Sequence, residues 1–159
     1  MADETGYVVL GAGEGTTIQG PAGGPLTVKV RGAQSNGALT AFENVVAPGE
    51  GPPLHRHARE GESWYVLEGT LRFKLGDDVH PAPAGSYLFA AAGTPHCFQN
   101  IGDAPARLLV LFTPSGMESF FDRFAALPPG PIDPEFFAAL GREVGMEVVG
   151  PPLAVSDPL

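Results

Sequence analysis

Three of the four histidines in this 159-residue chain stand where they could hold a metal ion together. His55 and His57 are two residues apart, Glu62 follows shortly after, and His96 lies about forty residues on. Three imidazoles and a carboxylate suit a divalent transition ion and leave coordination positions open for other molecules. The remaining chain has one more histidine, His80, and a single cysteine, Cys97, so the donors are concentrated rather than scattered.

Delivering those donors to one point constrains the backbone. Alternate residues of a strand share a face, so His55 and His57 project together. Glu62 has the wrong parity to join them on an unbroken strand. A bend is needed, and Arg59-Glu60-Gly61 supplies polar residues and a glycine for it. His96 must come from a separate strand, with Phe98 and Asn100 on its face. Two strands sending four donors to one interior is barrel geometry. Cys97 follows His96 directly and should face the other way, as a small packed residue rather than a ligand.

The rest of the sequence agrees. Leu26–Arg31 alternates apolar and polar residues, Asn36-Gly37 signals a turn, and Ala38–Val46 reads as the next strand. Ser63–Leu67 and Leu71–Leu75 flank Glu68-Gly69, and Gly76-Asp77-Asp78 turns the chain. Further strands are predicted at Ser86–Ala91, His96–Ile101 and Arg107–Phe112, each bounded by turn residues. After Pro114 the pattern changes. Ser115 and Glu118 fit a capping box ahead of a helix with apolar Met117, Phe120, Phe121, Phe124 and Leu127. A Pro-rich connector leads to Asp133-Pro134, the start of a second helix carrying Phe136, Phe137, Leu140 and Val144. These two greasy helices are expected on the outer face of the β body or against a second subunit. The predicted layout is an arm or edge strand over 1–20, a barrel over 21–114 and a helical extension over 115–159.

Composition bounds the function. Charged residues make up 17%, against 22 glycines and 17 prolines, which suits a mainly β fold with many turns. A formal net charge of −9 without a basic cluster disfavours nucleic acid and anionic membranes as partners. No apolar run approaches the ~20 residues that span a bilayer. Met1–Thr5 lacks signal-peptide character, so the expected address is cytoplasmic.

With these residues in hand, the sequence resembles the cupin superfamily. Its first motif, G(X)5HXH(X)3-4E(X)6G, is matched by Gly49, His55, His57, Glu62 and Gly69. Its second, G(X)5PXG(X)2H(X)3N, is matched by Gly85, Gly93, His96 and Asn100, with Ala91 in place of the proline. The resemblance covers roughly residues 40 to 114. It implies a jelly-roll barrel in which His55, His57, Glu62 and His96 bind one divalent transition metal: Fe, Mn, Ni, Co or Zn. Pro48–His57, Trp64–Gly69 and the Phe112–Gly116 exit into a Phe-rich helix further resemble the small quercetinase-like dioxygenases. That likeness implies a catalytic role for Glu62, as ligand and general base, on a small aromatic hydroxylated substrate. A metal-dependent binding module without turnover and a cupin isomerase or epimerase remain alternatives. Trp64, Val66, Leu71, Phe73 and Phe98 are candidates to line a pocket over the metal. Arg56, Arg59 and His80 are read as solvent-facing. A homodimer is expected, through exposed sheet faces or edges.

Overall fold

The computed structural model describes residues 6–159; Met1–Thr5, on which the expected address partly rested, lie outside the described residues. Two antiparallel sheets face each other. One runs β1(Thr16–Gln19), β2(Pro25–Val30), β3(Thr40–Val46), β10(Ala106–Thr113), β5(Gly61–Glu68), β8(Tyr87–Ala90). The other runs β11(Met146–Pro152), β4(Pro53–His57), β9(His96–Asn100), β6(Thr70–Leu75), β7(Asp78–Pro83). Inward residues of both sheets build the core, with Trp64, Leu71, Phe73 and Leu108 fully buried. Each such side chain contributes roughly 1.5–3 kcal/mol of burial free energy.

Close approaches explain two glycines. Gly69 has φ +89, and a Cβ there would lie 2.8 Å from that of Ala106. A Cβ on Gly51 would sit 1.8 Å from the Phe98 carbonyl oxygen, so only glycine lets the segment before β4 lie against β9.

The predicted strands form, and the 1–20 segment supplies edge strand β1. Two further strands were not foreseen. β7 carries Pro81 and Pro83, which suppress a strand reading, but it is an edge strand, where prolines need donate no ladder bond. β11 lies in the segment expected to be helical, and it pairs with β4, setting Met146 opposite His57 and Val148 opposite His55. Its Gly150-Pro151-Pro152 end hid an alternating pattern, tolerated because β11 too is an edge strand.

Three helices follow the barrel strands rather than two: α1(Glu118–Ala125), α2(Pro134–Arg142) and the short α3(Leu153–Ser156). Asp133 caps α2 as predicted, accepting from the Glu135 and Phe136 amides. The capping box on Ser115 does not form; Met117 holds the N-cap position without a side-chain bond. Glu118 serves tertiary structure instead. It accepts from the Gly32 amide at 2.7 Å, the Gly116 amide at 2.9 Å and the Thr40 hydroxyl, tying α1 to the β2–β3 connection. Nor does α1 cover the outer face of a sheet. Phe121 stacks on the inward rings of Phe42 and Phe112, at 4.9 and 6.4 Å, and Phe120 meets Phe137 of α2 at 5.4 Å. On the outer face of the second sheet, Arg72 donates to Gln99 and to Asp157 beyond α3. Among the described residues no helix is long and apolar enough to cross a membrane.

Burial opposes the Glu118 charge, but the bonds from Thr40, Gly32 and Gly116 outweigh it and hold its carboxyl below the ordinary value of 4.5. A depressed folded-state pKa contributes stability above the unfolded pKa, lost as pH falls through the folded one. Glu118→Gln should therefore lower stability at pH 7 by on the order of 1 kcal/mol, after discounting for its part exposure. It should also flatten the acid limb below about pH 4.5. Urea titrations at pH 7 and pH 4 check both.

Candidate metal centre

Three strands from both sheets assemble the polar cluster, where two strands had been expected. β4 presents His55 and His57 on its buried face, and β9 places His96 directly opposite His55. Residues 58–60 then carry the chain across to the other sheet, where Glu62 is the second residue of β5. The parity break in the sequence is thus a crossing between sheets. All four side chains are buried, and one donor atom from each lies within 4.8 Å of the others. The structure brings together every proposed ligand. It sets His80, Arg56 and Arg59 in solvent, and buries Cys97 on the far side of β9 from His96.

Hydrogen bonds orient the rings. Nδ1 of His55 lies 2.8 Å from the Pro53 carbonyl, and Nδ1 of His96 lies 2.8 Å from that of Thr94. A carbonyl only accepts, so each Nδ1 carries a proton and each Nε2 lone pair is free for the interior. Sequence reading missed these backbone partners; the recurrent signal is a carbonyl two residues before the ligand. Oε2 of Glu62 lies 2.8 Å from Nε2 of His96 and 3.0 Å from Nε2 of His57.

The contact between His96 and Glu62 is a test of what belongs here. His96 faces an acceptor at each ring nitrogen, so its Nε2 needs either a second proton or a cation shared with Glu62. Adjacent donors bonded to one ion at ~2.1 Å stand about 3 Å apart in octahedral arrangement, close to both distances to Glu62. The donor set therefore fits a transition ion.

The charges follow the same logic. Burial, then the His96 charge, lowers the His55 pKa to about 3, leaving it neutral. Burial opposes the Glu62 anion, but hydrogen bonds from His57 and His96 outweigh it and hold its pKa at about 2. Burial also works against a His96 cation, yet bonding and charge from Glu62 raise its pKa above the ordinary 6.5.

The cluster opens into a cavity of about 1210 Å³. Its walls include Trp64 and Phe98, as proposed, with Phe42, Val110, Phe112 and Phe121. Val66, Leu71 and Phe73 do not line it and serve the core. The connector at 127–132 forms another wall, unforeseen because nothing in a Pro-rich stretch says which surface it will cover. Among the described residues no lysine or arginine lines the cavity. Phe112 joins site to wall, its ring 5.1 Å from that of His57.

Residues 42–112 match the family model of the cupin domain. The match covers less than half of the chain, whose two sheets form a jelly roll like that of cupins. An RmlC-like cupin from Shewanella frigidimarina NCIMB 400 shares this fold with a TM-score of 0.60 at 17% identity, over 69% of this chain and 93% of that one. Protein SchB of Streptomyces halstedii is 37% identical over 75 residues, 46% of this chain and 54% of that protein. A mannose-1-phosphate guanylyltransferase from Escherichia coli O157:H7 is 34% identical over 65 residues, 41% of this chain but 14% of that protein. The chain thus spans about half the length, or less, of these curated relatives.

If the cluster holds a metal, His96→Ala should lower affinity by more than the ~10–100-fold typical of losing an outer-shell partner. The fold should survive, and His80→Ala should change nothing. Metal content by elemental analysis, with circular dichroism alongside, checks this. In the wild type, protons compete for His96 as pH falls through its raised pKa, so affinity should drop from neutral pH downward.

Proposed function

We propose that this protein is a cupin and a metal-dependent dioxygenase acting on a small aromatic, hydroxylated substrate, with His55, His57, Glu62 and His96 as the metal ligands. The observation that carries the reading is a three-histidine, one-carboxylate cluster opening into an apolar, aromatic-walled cavity. A bound divalent ion would lower the pKa of a coordinated hydroxyl and give dioxygen a place to react. Glu62, anionic at neutral pH and adjacent to two imidazoles, would take the hydroxyl proton as general base once that proton is made acidic by the ion. Apolar walls that include Phe42, Phe98, Phe112 and Phe121 would suit an aromatic ring.

The isomerase or epimerase alternative fits less well. A sugar phosphate, the compound class in the name of one relative, calls for cationic side chains, and the cavity lining has none. The binding-module alternative shares the geometry and differs only in turnover.

A spectrophotometric time course with a flavonol separates the readings, using protein loaded in turn with Fe, Mn, Co and Ni. Oxygen-dependent loss of the long-wavelength band, reduced at least ~100-fold by Glu62→Gln, is the expected outcome for loss of a general base. A shifted band that persists would indicate binding without turnover. No change with any metal would defeat the aromatic-substrate reading.

We also infer that the chain pairs with a second copy through β8. This edge strand has unpaired backbone groups along one side, and Tyr87, Phe89 and neighbouring Tyr65 are exposed on its outer face at 66%, 56% and 42%. An antiparallel edge is complementary to its own copy, and the patch has no charge to oppose pairing. Sedimentation should show a dimer that Phe89→Lys converts to a monomer; a monomeric wild type would refute the pairing.

A further inference from the structure

The cavity is mainly apolar, yet three side chains on its wall keep a buried polar atom without a partner: His57 Nδ1 in the metal cluster, Trp64 Nε1 and Asn44 Oδ1. Asn44 projects inward from β3, is 6% exposed, and lines the cavity. Its Oδ1 is shielded from solvent and accepts no hydrogen bond. Leaving such a group unsatisfied costs roughly 1–3 kcal/mol, and a leucine of similar size would avoid that cost. Both inward neighbours across the ladder are in fact leucines, Leu26 and Leu108. Nothing in the core explains an amide between them.

The position of Asn44 suggests an explanation. Register pairs Glu62 with Phe112 and Phe112 with Thr40, while Val66 is level with Leu108 and Asn44. Asn44 therefore stands four residues along the strands from the Glu62 level, ~13 Å by strand rise. Two other polar lining residues outside the metal cluster gather at the same end. Gln19 precedes the β1–β2 turn, and the Glu50 side chain packs against Gly23 within that turn. A Cβ on Gly20 would lie 3.5 Å from Asn44 Oδ1, so the β1–β2 turn passes beside the amide. One carboxylate and two amides there offer both acceptors and donors, which suits a hydroxyl on the ligand.

We propose that Asn44 is a specificity-determining residue that binds a hydroxyl at the end of the ligand remote from the metal cluster. The inference rests on the aromatic-ligand reading above and deepens it. The ligand is an elongated apolar molecule with one hydroxyl at the metal end and a second at the Asn44 end.

Two probes that differ only at the far end test this: 3-hydroxyflavone and 3,4′-dihydroxyflavone. They are titrated calorimetrically into zinc-loaded protein, because zinc is redox-inert and leaves the ligand intact. Wild type should bind the dihydroxy compound about tenfold more tightly, the worth of one neutral hydrogen bond. Asn44→Leu should bind both with the weaker affinity, and its melting temperature should equal or exceed that of wild type. A purely structural asparagine would instead lose stability on replacement and leave the ratio of the two affinities unchanged. If circular dichroism shows that Asn44→Leu does not fold, Asn44→Ala carries the same comparison. Equal binding of both probes by wild type, or a preference that survives replacement of Asn44, overturns the assignment and leaves the aromatic-ligand reading standing. Failure of wild type to bind either probe overturns both.

Discussion

Placing the Glu62 carboxylate inside an apolar barrel costs several kcal/mol of lost hydration, and the local structure is organised around that cost. Two imidazole nitrogens meet one carboxylate oxygen at 2.8 and 3.0 Å, and carbonyls behind His55 and His96 hold those rings in place. The compensation is incomplete without positive charge, because imidazole Nε2 lone pairs and a carboxylate all seek a cation. With one proton raising His96 the cluster is tolerable; with a divalent ion it is satisfied. The same burial that penalises the bare anion would strengthen its hold on a metal, since the low dielectric amplifies attraction as well as desolvation.

Both sheets are required for this arrangement. The second sheet supplies three imidazoles on adjacent strands, and the first supplies the carboxylate across the barrel. The relative position of the sheets, set by the packing of Trp64, Phe73 and their neighbours, thus fixes the distance from donor to donor. The aromatic series from His57 through Phe112 and Phe121 to Phe120 and Phe137 joins that core to the helices. Cavity wall and hydrophobic core share Phe42, Trp64, Phe98, Val110, Phe112 and Phe120, so ligand shape and barrel stability are not fully independent.

The site was legible in the sequence because its signals are local: His55 and His57 share strand parity, and the turn glycines around them hold fixed spacing. The break at Glu62 was legible as a bend but not as a crossing between sheets, since parity says that a strand ends and not where the chain goes next. Strands β7 and β11 were hidden by proline, which marks breaks in central strands yet is harmless at an edge; edge position is a property of topology. The Ser115 capping box failed because Gly32 and Thr40, distant in sequence, compete for Glu118. Asn44 gave no signal at all. A lone asparagine in a strand acquires meaning only when its lack of a partner is visible.

Strand β11 also ties the site to the order of synthesis. Strand β4, which carries His55 and His57, lies between β9 and β11. While the chain emerges from the ribosome, β4 stays an unpaired edge on one side until residues 146–152 appear, some ninety residues after its histidines. During that interval His55 and His57 sit on an open strand able to pair with other chains. The late strand therefore closes the open side of β4, and the strand that presents His55 and His57 is flanked on both sides only once residues 146–152 have been made.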